Sequence, residues 1–483
     1  MSLVTLDPRK AEPFPKAAAQ LLQDTQLRRN VAHATDVIQR KRAALVAEKA
    51  DWQALRSAGA AIRQEALLHL DYYLEQFEKQ FTAAGGHVHW ASDGDEARRI
   101  VVGLLRDAQA KDVIKIKSMT TAEIDLNPSL EADGVRVFET DLAELILQLG
   151  SDQPSHIIAP ALHKNRHQVR ELFAREMRLP ELTDDPPALT EAARLYLRAK
   201  FLSVPAAISG ANFLVAETGS ICIVESEGNG RMCLTLPDTL ISIAGIEKVI
   251  PRFSDLEVLL QTLPRAATGE RMNPYNSVWT GVTPGDGPQN LHVVLLDNGR
   301  SDLLAEDMTR QTLQCIRCAA CLNACPVYRQ TGGHAYGSVY SGPIGAILTP
   351  QLHRMEYAQS LPYASSLCGA CYEVCPVKIN IPEVLVHLRS RVVDKNKGKL
   401  GSILSQERIG MKMMARIFLS HDRFESAQRM ARVLEKPFVG KDGWVHKLPG
   451  LAGQWTAGRD LEALPEQTFR DWWRTRNGRD REP

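Results

Sequence analysis

The chain has 483 residues, too many for one small domain, and its 44% hydrophobic and 24% charged residues suit a globular protein with more than one core. With 58 Lys and Arg against 57 Asp and Glu the formal net charge is +1, which gives no electrostatic footing for nucleic acid or an anionic membrane surface. The opening MSLVTLDPRKAEPF lacks the apolar stretch of a secretory signal, and no apolar run approaches the ~18–20 residues that span a bilayer, so the cytoplasm is the expected compartment.

The first sixty or so residues are rich in Ala, Leu, Gln, Lys and Arg and poor in β-branched residues, which predicts an N-terminal helical segment over 1–66. Leu70, Leu74, Phe77 and Phe81 then recur at helical spacing, and Gly85 and Gly86 supply a stop. From there to about residue 300, strand-like and helix-like stretches alternate. Strands are predicted at Val88–Ala91, Val113–Lys117, Val135–Glu139 and His156–Ile158, and helices at Glu96–Ala110, Leu142–Leu149 and His163–Met177. Apolar runs at Asn212–Ala216 and Ile221–Val224 flank Glu217, Thr218, Gly219 and Ser220 and predict a hairpin. Leu240–Ile250 and Leu291–Leu296 read as further buried strands. Strands alternating with helices imply a mainly parallel sheet covered on both faces, so 67–299 reads as an α/β domain. Asp297, Asn298, Gly299 and Arg300 are expected to form a hinge into the region 300–395. The remainder, 396–483, reads as a helical, basic C-terminal region that ends with Trp472 and Trp473.

Of nine cysteines, Cys222 and Cys233 stand apart, and seven fall between 315 and 375. Clustered cysteines in a reducing compartment point to metal or redox chemistry before disulfides. The first run is Cys315, Cys318, Cys321 and Cys325 followed by Pro326, the C-x2-C-x2-C-x3-C-P spacing of bacterial ferredoxins. Three thiolates so close in sequence wrap one face of an iron–sulfur cubane, and the fourth points to a second cluster. Pro326 fixes the backbone as it leaves, and small Ala319 and Ala320 let backbone N–H groups approach the sulfurs. The second run, Cys368, Cys371 and Cys375 followed by Pro376, matches the pattern from its second cysteine onward; the place of its first is held by Ser365.

Crossing the fourth ligands assigns Cys315, Cys318, Cys321 and Cys375 to cluster 1, expected as [4Fe–4S]. Cys325, Cys368 and Cys371 go to cluster 2, expected as [4Fe–4S] or [3Fe–4S]. Zinc ribbons use two C-x2-C pairs, which one run of four cysteines and two Cys-Pro ends do not match. The 42 residues from Pro326 to Leu367 leave room for helices, and Pro382 suits the first turn of a helix with Leu385, Leu388 and Val392 on one face. The region 300–395 is therefore expected to be an α-helical two-cluster ferredoxin domain.

Other signals are weaker. Lys117 to Glu123 follows a strand and opens a helix that Ser118 or Thr120 would cap, a turn before it is an anion site. Glu217 to Ser220 and Glu227 to Gly230 are turn chemistry first. No dinucleotide or P-loop glycine fingerprint occurs, and no catalytic residue is identified. Cys222 and Cys233 read as small buried hydrophobes and His334 as a loop histidine; these three are the candidate substitutes for the missing ligand of cluster 2.

Together these residues resemble the lactate-utilisation protein B family over nearly the whole chain. The N-terminal half is similar to its lactate-utilisation domain in Lys117, Ser118 and Met119 with Glu123, in Glu217, Thr218 and Gly219, and in Gly228 to Arg231 leading to Leu236 and Pro237. The middle is similar in Cys325 to Arg329, Gly332 and Gly333, and Gly342 to Gly345. The resemblance implies a sheet domain of the CoA-transferase and sugar-isomerase type beside the ferredoxin domain. It also implies an iron–sulfur electron-transfer subunit that works with two others to convert L-lactate to pyruvate. One expected partner is a cysteine-rich protein of the heterodisulfide-reductase type, and the other a smaller lactate-utilisation-domain protein. Two rival expectations are an enzyme acting on a carboxylate or acyl substrate in the α/β domain, with clusters as internal wiring, and a redox-sensing scaffold.

Overall fold

The structure, a computed structural model, describes residues 5–397 and 406–479. The chain divides into two compact units, one ending at Val392 and one starting at Val393.

Three helices open the first unit: α1 (Phe14–Leu21), α2 (Thr25–Ala47) and α3 (Trp52–Leu68). Asp24 caps α2, its carboxylate accepting from Leu27 N at 2.8 Å. The amphipathic α4 (Leu70–Ala83) buries Leu70, Leu74, Phe77 and Phe81, the face predicted from their spacing. It stops at the two glycines; a Cβ on Gly86 would lie 2.3 Å from the Phe81 ring, so no larger residue fits there without a shift.

Ten strands follow: β1 (His87–Ala91), β2 (Asp112–Lys115), β3 (Arg136–Glu139), β4 (Ala206–Ser209), β5 (Phe213–Val215), β6 (Ser220–Glu225), β7 (Thr239–Gly245), β8 (Val249–Ile250), β9 (Tyr275–Trp279) and β10 (Asn290–Leu296). Six form one parallel sheet in the order β1-β10-β7-β4-β2-β3. Side chains alternate between its faces: Leu291, Val293 and Leu295 join the core beneath α4, while Val294 and Leu296 join the opposite core with Val101 and Leu105. The expected parallel sheet with both faces covered is present.

A second, four-stranded sheet, β8-β5-β6-β9, was not anticipated. β5 and β6 make the predicted hairpin, β9 pairs antiparallel with β6, and β8 runs parallel to β5. Leu240–Ile250, predicted as one strand, is therefore two. β7 ends at Gly245, a 3-10 turn spans Ile246–Lys248, and β8 enters the other sheet. That turn carries Glu247 and Lys248 into the interior.

Three further expectations need correction. His156–Ile158 is not a strand. Its buried ring folds back on the chain, with Nδ1 accepting from Ile158 N at 3.1 Å and Ala159 N at 3.0 Å, and Nε2 donating to Asn323 Oδ1 at 3.1 Å. The helix Pro186–Phe201 was missed. Asp297 to Arg300 is no hinge, because the Arg300 side chain is fully buried and paired with Glu123 at 2.8 Å and Glu247 at 2.5 Å.

Between the cysteine runs lie short helices, Tyr328–Thr331 and Gly342–Leu352. The helix Ile381–Asn396 buries Leu385, Leu388 and Val392 as predicted, and Val384 besides. One core joins the cysteines of both runs, Cys368 apart, to Leu322, Ile344 and Leu385, to Leu27 and Val31 of α2, and to Leu259 and Leu263 of the helix Asp255–Ala267. The N-terminal helices thus pack onto the cysteine region.

The second unit holds the helices Gln406–Phe418, His421–Glu435 and Phe469–Arg479 and one two-stranded ladder, Trp444–Val445 against Leu461–Glu462. Trp472 and Trp473 are exposed. Among the described residues, no helix is long and apolar enough to cross a membrane.

Candidate functional site

The two cysteine runs share one backbone path. Arg317 and Ala319, on either side of Cys318, have φ of 61° and 58°; Leu367 and Gly369, on either side of Cys368, have φ of 55° and 84°. Non-glycine residues rarely take such left-handed values, and the alternation curls each loop around its own centre. The likeness extends one position further back. Arg317 N donates to Cys315 Sγ at 3.4 Å, and Leu367 N donates to Ser365 Oγ at 3.1 Å. Ser365 therefore occupies in the second loop the place that Cys315 occupies in the first.

Folding sorts the seven cysteines into two groups that do not follow the runs. Cys315, Cys318 and Cys321 of the first run and Cys375 of the second line one small cavity together with Ile344, Val377, Ile379 and Ile381. Cys325, Cys368 and Cys371 lie within reach of one another's charge, Cys368 acting on Cys325 and both on Cys371, and Cys371 also acts on Cys321, so the two groups adjoin. In the first group all thiols but the half-buried Cys315 are buried, whereas in the second Cys368 is exposed. Backbone N–H groups reach the outgoing cysteines as well, Tyr328 N to Cys325 Sγ at 3.5 Å and Ile379 N to Cys375 Sγ at 3.4 Å.

The donor chemistry fits a cationic metal centre. Burial pushes Cys375 up to about 11 and Cys371 up to about 12, with Cys325 raising Cys371 further. It also holds Cys321 far above the usual thiol range, and the neighbouring thiols Cys315 and Cys318 add to the effect. Crowded buried thiols resist ionisation until a metal supplies the opposing charge, and a coordinated thiol is deprotonated outright. Cys368 alone is pulled down, by Ala370 N–H and the Ser366 hydroxyl.

Basic side chains missed in the sequence surround the first group. Arg56 Nε donates to Cys375 O at 2.8 Å and its Nη2 to Tyr372 O at 2.9 Å. Arg63 is buried among the carbonyls of Val249, Glu247, Leu313 and Gln314. Arg317 Nη2 meets Glu247 Oε1 at 3.3 Å and its guanidinium lies 4.6 Å from the Tyr340 ring centroid. Burial, then the Arg317 charge, lowers Lys248 to about 8. Two buried donors here have no partner among the described residues, Arg42 Nε and Arg317 Nη1. One signal was available: Arg56 and Arg63 stand with Trp52, Gly59 and Ala66 on the buried face of α3, where an arginine needs acceptors or an anion.

The remaining signals resolve as follows. Ser118 caps the five-residue helix Met119–Glu123, accepting from Thr121 N at 3.3 Å. Cys222 lies inside β6, and Cys233 meets Thr140 Oγ1 at 3.5 Å. His334 Nε2 lies 2.9 Å from Gln153 O, in a group whose Asp152 and His163 pair at 3.1 Å. At the C-terminal ends of β2 and β3, Lys115 pairs with buried Glu139 at 2.7 Å. Close by, burial and then the Glu139 charge raise Glu144 to about 7.

Comparisons with known proteins agree over most of the chain. The LUD domain family matches residues 74–296, and the 4Fe-4S dicluster domain family matches residues 311–379. The lactate utilization protein B of Bacillus licheniformis is 42% identical over 96% of this chain and 97% of its own. That of Oceanobacillus iheyensis is 44% identical over 93% of each chain, and that of an Exiguobacterium species 44% identical over 97% and 98%. A DUF162 family protein of Deinococcus radiodurans superimposes at a TM-score of only 0.26 and 13% identity, over 47% of this chain and 98% of its own, too little to bear on the fold.

Proposed function

The chain belongs to the lactate utilization protein B family, and from that membership we propose that it is the iron–sulfur electron-transfer subunit of a multi-subunit system oxidising L-lactate to pyruvate. The observation that carries the reading is the sorting of seven cysteines into a group of four and a group of three, inside a region matched by the 4Fe-4S dicluster family. Cys315, Cys318, Cys321 and Cys375 would hold a [4Fe–4S] cluster; Cys325, Cys368 and Cys371 would hold a second, as [4Fe–4S] or [3Fe–4S]. Such clusters supply one-electron transfer, and two sites match the two electrons that lactate gives up on becoming pyruvate. Exposed Cys368 sets the second group at the surface, where a redox partner has access. The proposed partners are the cysteine-rich heterodisulfide-reductase-type subunit and the smaller lactate-utilisation-domain subunit.

Anaerobically purified protein should be brown and hold iron and acid-labile sulfide with little zinc. Lactate should reduce it only when the two partner subunits are present. A colourless protein with stoichiometric zinc, or robust lactate oxidation by this chain alone, would overturn the proposal. The second outcome would favour an enzyme in the α/β domain, where Lys115 and buried Glu139 pair at 2.7 Å at the strand ends, the place where α/β folds hold ligands, and Glu144 of the following helix is raised beside them.

Ser365 gives a separate test. Its hydroxyl stands where the first loop has a thiol, and a serine oxygen is a harder, rarely ionised ligand, so the second cluster should lose one iron on mild oxidation. Ser365→Cys should suppress the resulting [3Fe–4S] electron paramagnetic resonance (EPR) signal. A wild-type protein that shows two intact [4Fe–4S] clusters after oxidation, with no three-iron signal, would sink the idea.

A further inference from the structure

We infer that Arg42, Arg317 and Lys248 set the reduction potential of a cluster held by Cys315, Cys318, Cys321 and Cys375, keeping it above the value that four thiolates alone would give. This rests on the proposal that those cysteines bind such a cluster. A four-thiolate cluster is already anionic and gains one more negative charge on reduction, so nearby cations and N–H donors favour the reduced form.

The cations are in place, and two of them offer unused donors. Arg317 lines the cavity between Cys315 and Cys318, the Arg42 charge acts on Cys318, and the Cys315 charge acts on Arg317 and Lys248. Arg42 Nη2 donates to Val374 O at 3.2 Å, yet its Nε is buried without a partner among the described residues, as is Arg317 Nη1. Buried N–H groups are costly to leave unpaired, and cluster sulfurs would be acceptors for them. Glu123 and Glu247 balance Arg300 and Arg317 in charge, so Arg317 acts through its Nη1 donor, and Arg42 and Lys248, which pair with no carboxylate among the described residues, carry the positive charge. Around the second group, none of the charges that most shift Cys325, Cys368 and Cys371 is a cation. Arg389, beside Ser365, gives its guanidinium to Pro362 O at 2.8 Å and Ser365 O at 3.3 Å. The two sites therefore differ in electrostatics as well as in exposure.

The test is a reductive titration of the intact, anaerobically purified chain, followed by EPR, with Cys368→Ala marking the second centre's signal. Arg42→Gln is expected to move the first centre's reduction equilibrium about tenfold toward the oxidised form, ~59 mV for one electron, and to leave the second centre unmoved. Arg42→Lys keeps the charge but lacks Nε, so it should shift less. Arg317→Gln and Lys248→Gln should lower the same centre. A first centre unmoved in Arg42→Gln, or a second centre shifted equally, would overturn the inference. Absence of iron and sulfide in the wild-type protein would instead refute the cluster reading beneath it.

Discussion

Cys325→Ala should abolish the second iron–sulfur centre and spare the first, although Cys325 belongs to the first run, and Cys375→Ala should damage the first and spare the second. Each run ends by sending its last cysteine to the other loop's centre. Cys375 lines the cavity with Cys315, Cys318 and Cys321, while Cys325 falls with Cys368 and Cys371. The short helices Ala320–Asn323 and Ala370–Val374 span the distance between each loop and its outgoing cysteine. The backbone N–H groups of Tyr328 and Ile379 then point those sulfurs. A cubane that loses a thiolate loses an iron corner: Cys325→Ala leaves two thiolates and should remove the second centre's EPR signal, whereas Cys375→Ala leaves three and should turn the first into a centre that readily gives up one iron. Cys318→Ala is the reference for the first centre. If Cys325→Ala erased the same signal as Cys318→Ala and preserved the other, the crossed assignment would be wrong.

How much of this was legible in the sequence depended on how local the determinant was. The cysteine spacing, the face of α4 and the hairpin at Glu217 to Ser220 each lie within a dozen residues, and each was readable. The crossed assignment of the cysteines rests on the same local signal, a four-residue offset between third and fourth cysteine that recurs in both runs, and the variants above are its test. What escaped was set by distant partners. Arg42, Arg56 and Arg63 did not stand out among the many charges of the N-terminal helices, since nothing local says that those helices cover the cysteine region. His156 read as part of an apolar strand, but its ring is held by Asn323, 167 positions away. The second sheet escaped because β8 and β9 join it from opposite ends of a long excursion, and β8 is only two residues long. The left-handed conformation of Arg317 and Ala319 had no glycine to announce it, unlike that of Gly369.

Arg300→Met should destabilise the first unit by about 3–5 kcal/mol, the range for breaking a fully buried ion pair. The guanidinium holds Glu123 through two bonds, 2.9 Å and 2.8 Å, and Glu247 through a third of 2.5 Å. Tyr340 Oη and Asn298 Nδ2 donate to Glu123 as well, at 2.5 Å and 2.7 Å. Removing the arginine leaves a carboxylate with no counter-charge in a site that excludes water, which is costlier than the lost bonds themselves. The same network fixes a pH signature. Burial alone would raise Glu123, but the Arg300 charge and hydrogen bonds win and lower it from 4.5 to about 2. A folded pKa below the unfolded one contributes stability that is fully present above 4.5 and is lost as pH falls toward about 2; the shift is worth about 3 kcal/mol. Thermal unfolding of the anaerobic protein should therefore show a wild-type stability that falls between those pH values more steeply than that of Glu123→Gln. The exposed Arg271–Glu48 pair serves as the control, because Arg271→Gln should leave stability unchanged. Combining Glu123→Gln with Arg300→Met should recover part of the loss, since the double variant no longer buries that unpaired carboxylate. An Arg300→Met protein as stable as wild type would show that this junction, Glu123 after β2, Glu247 between the sheets and Tyr340 between the cysteine runs, is held by packing rather than by its charges.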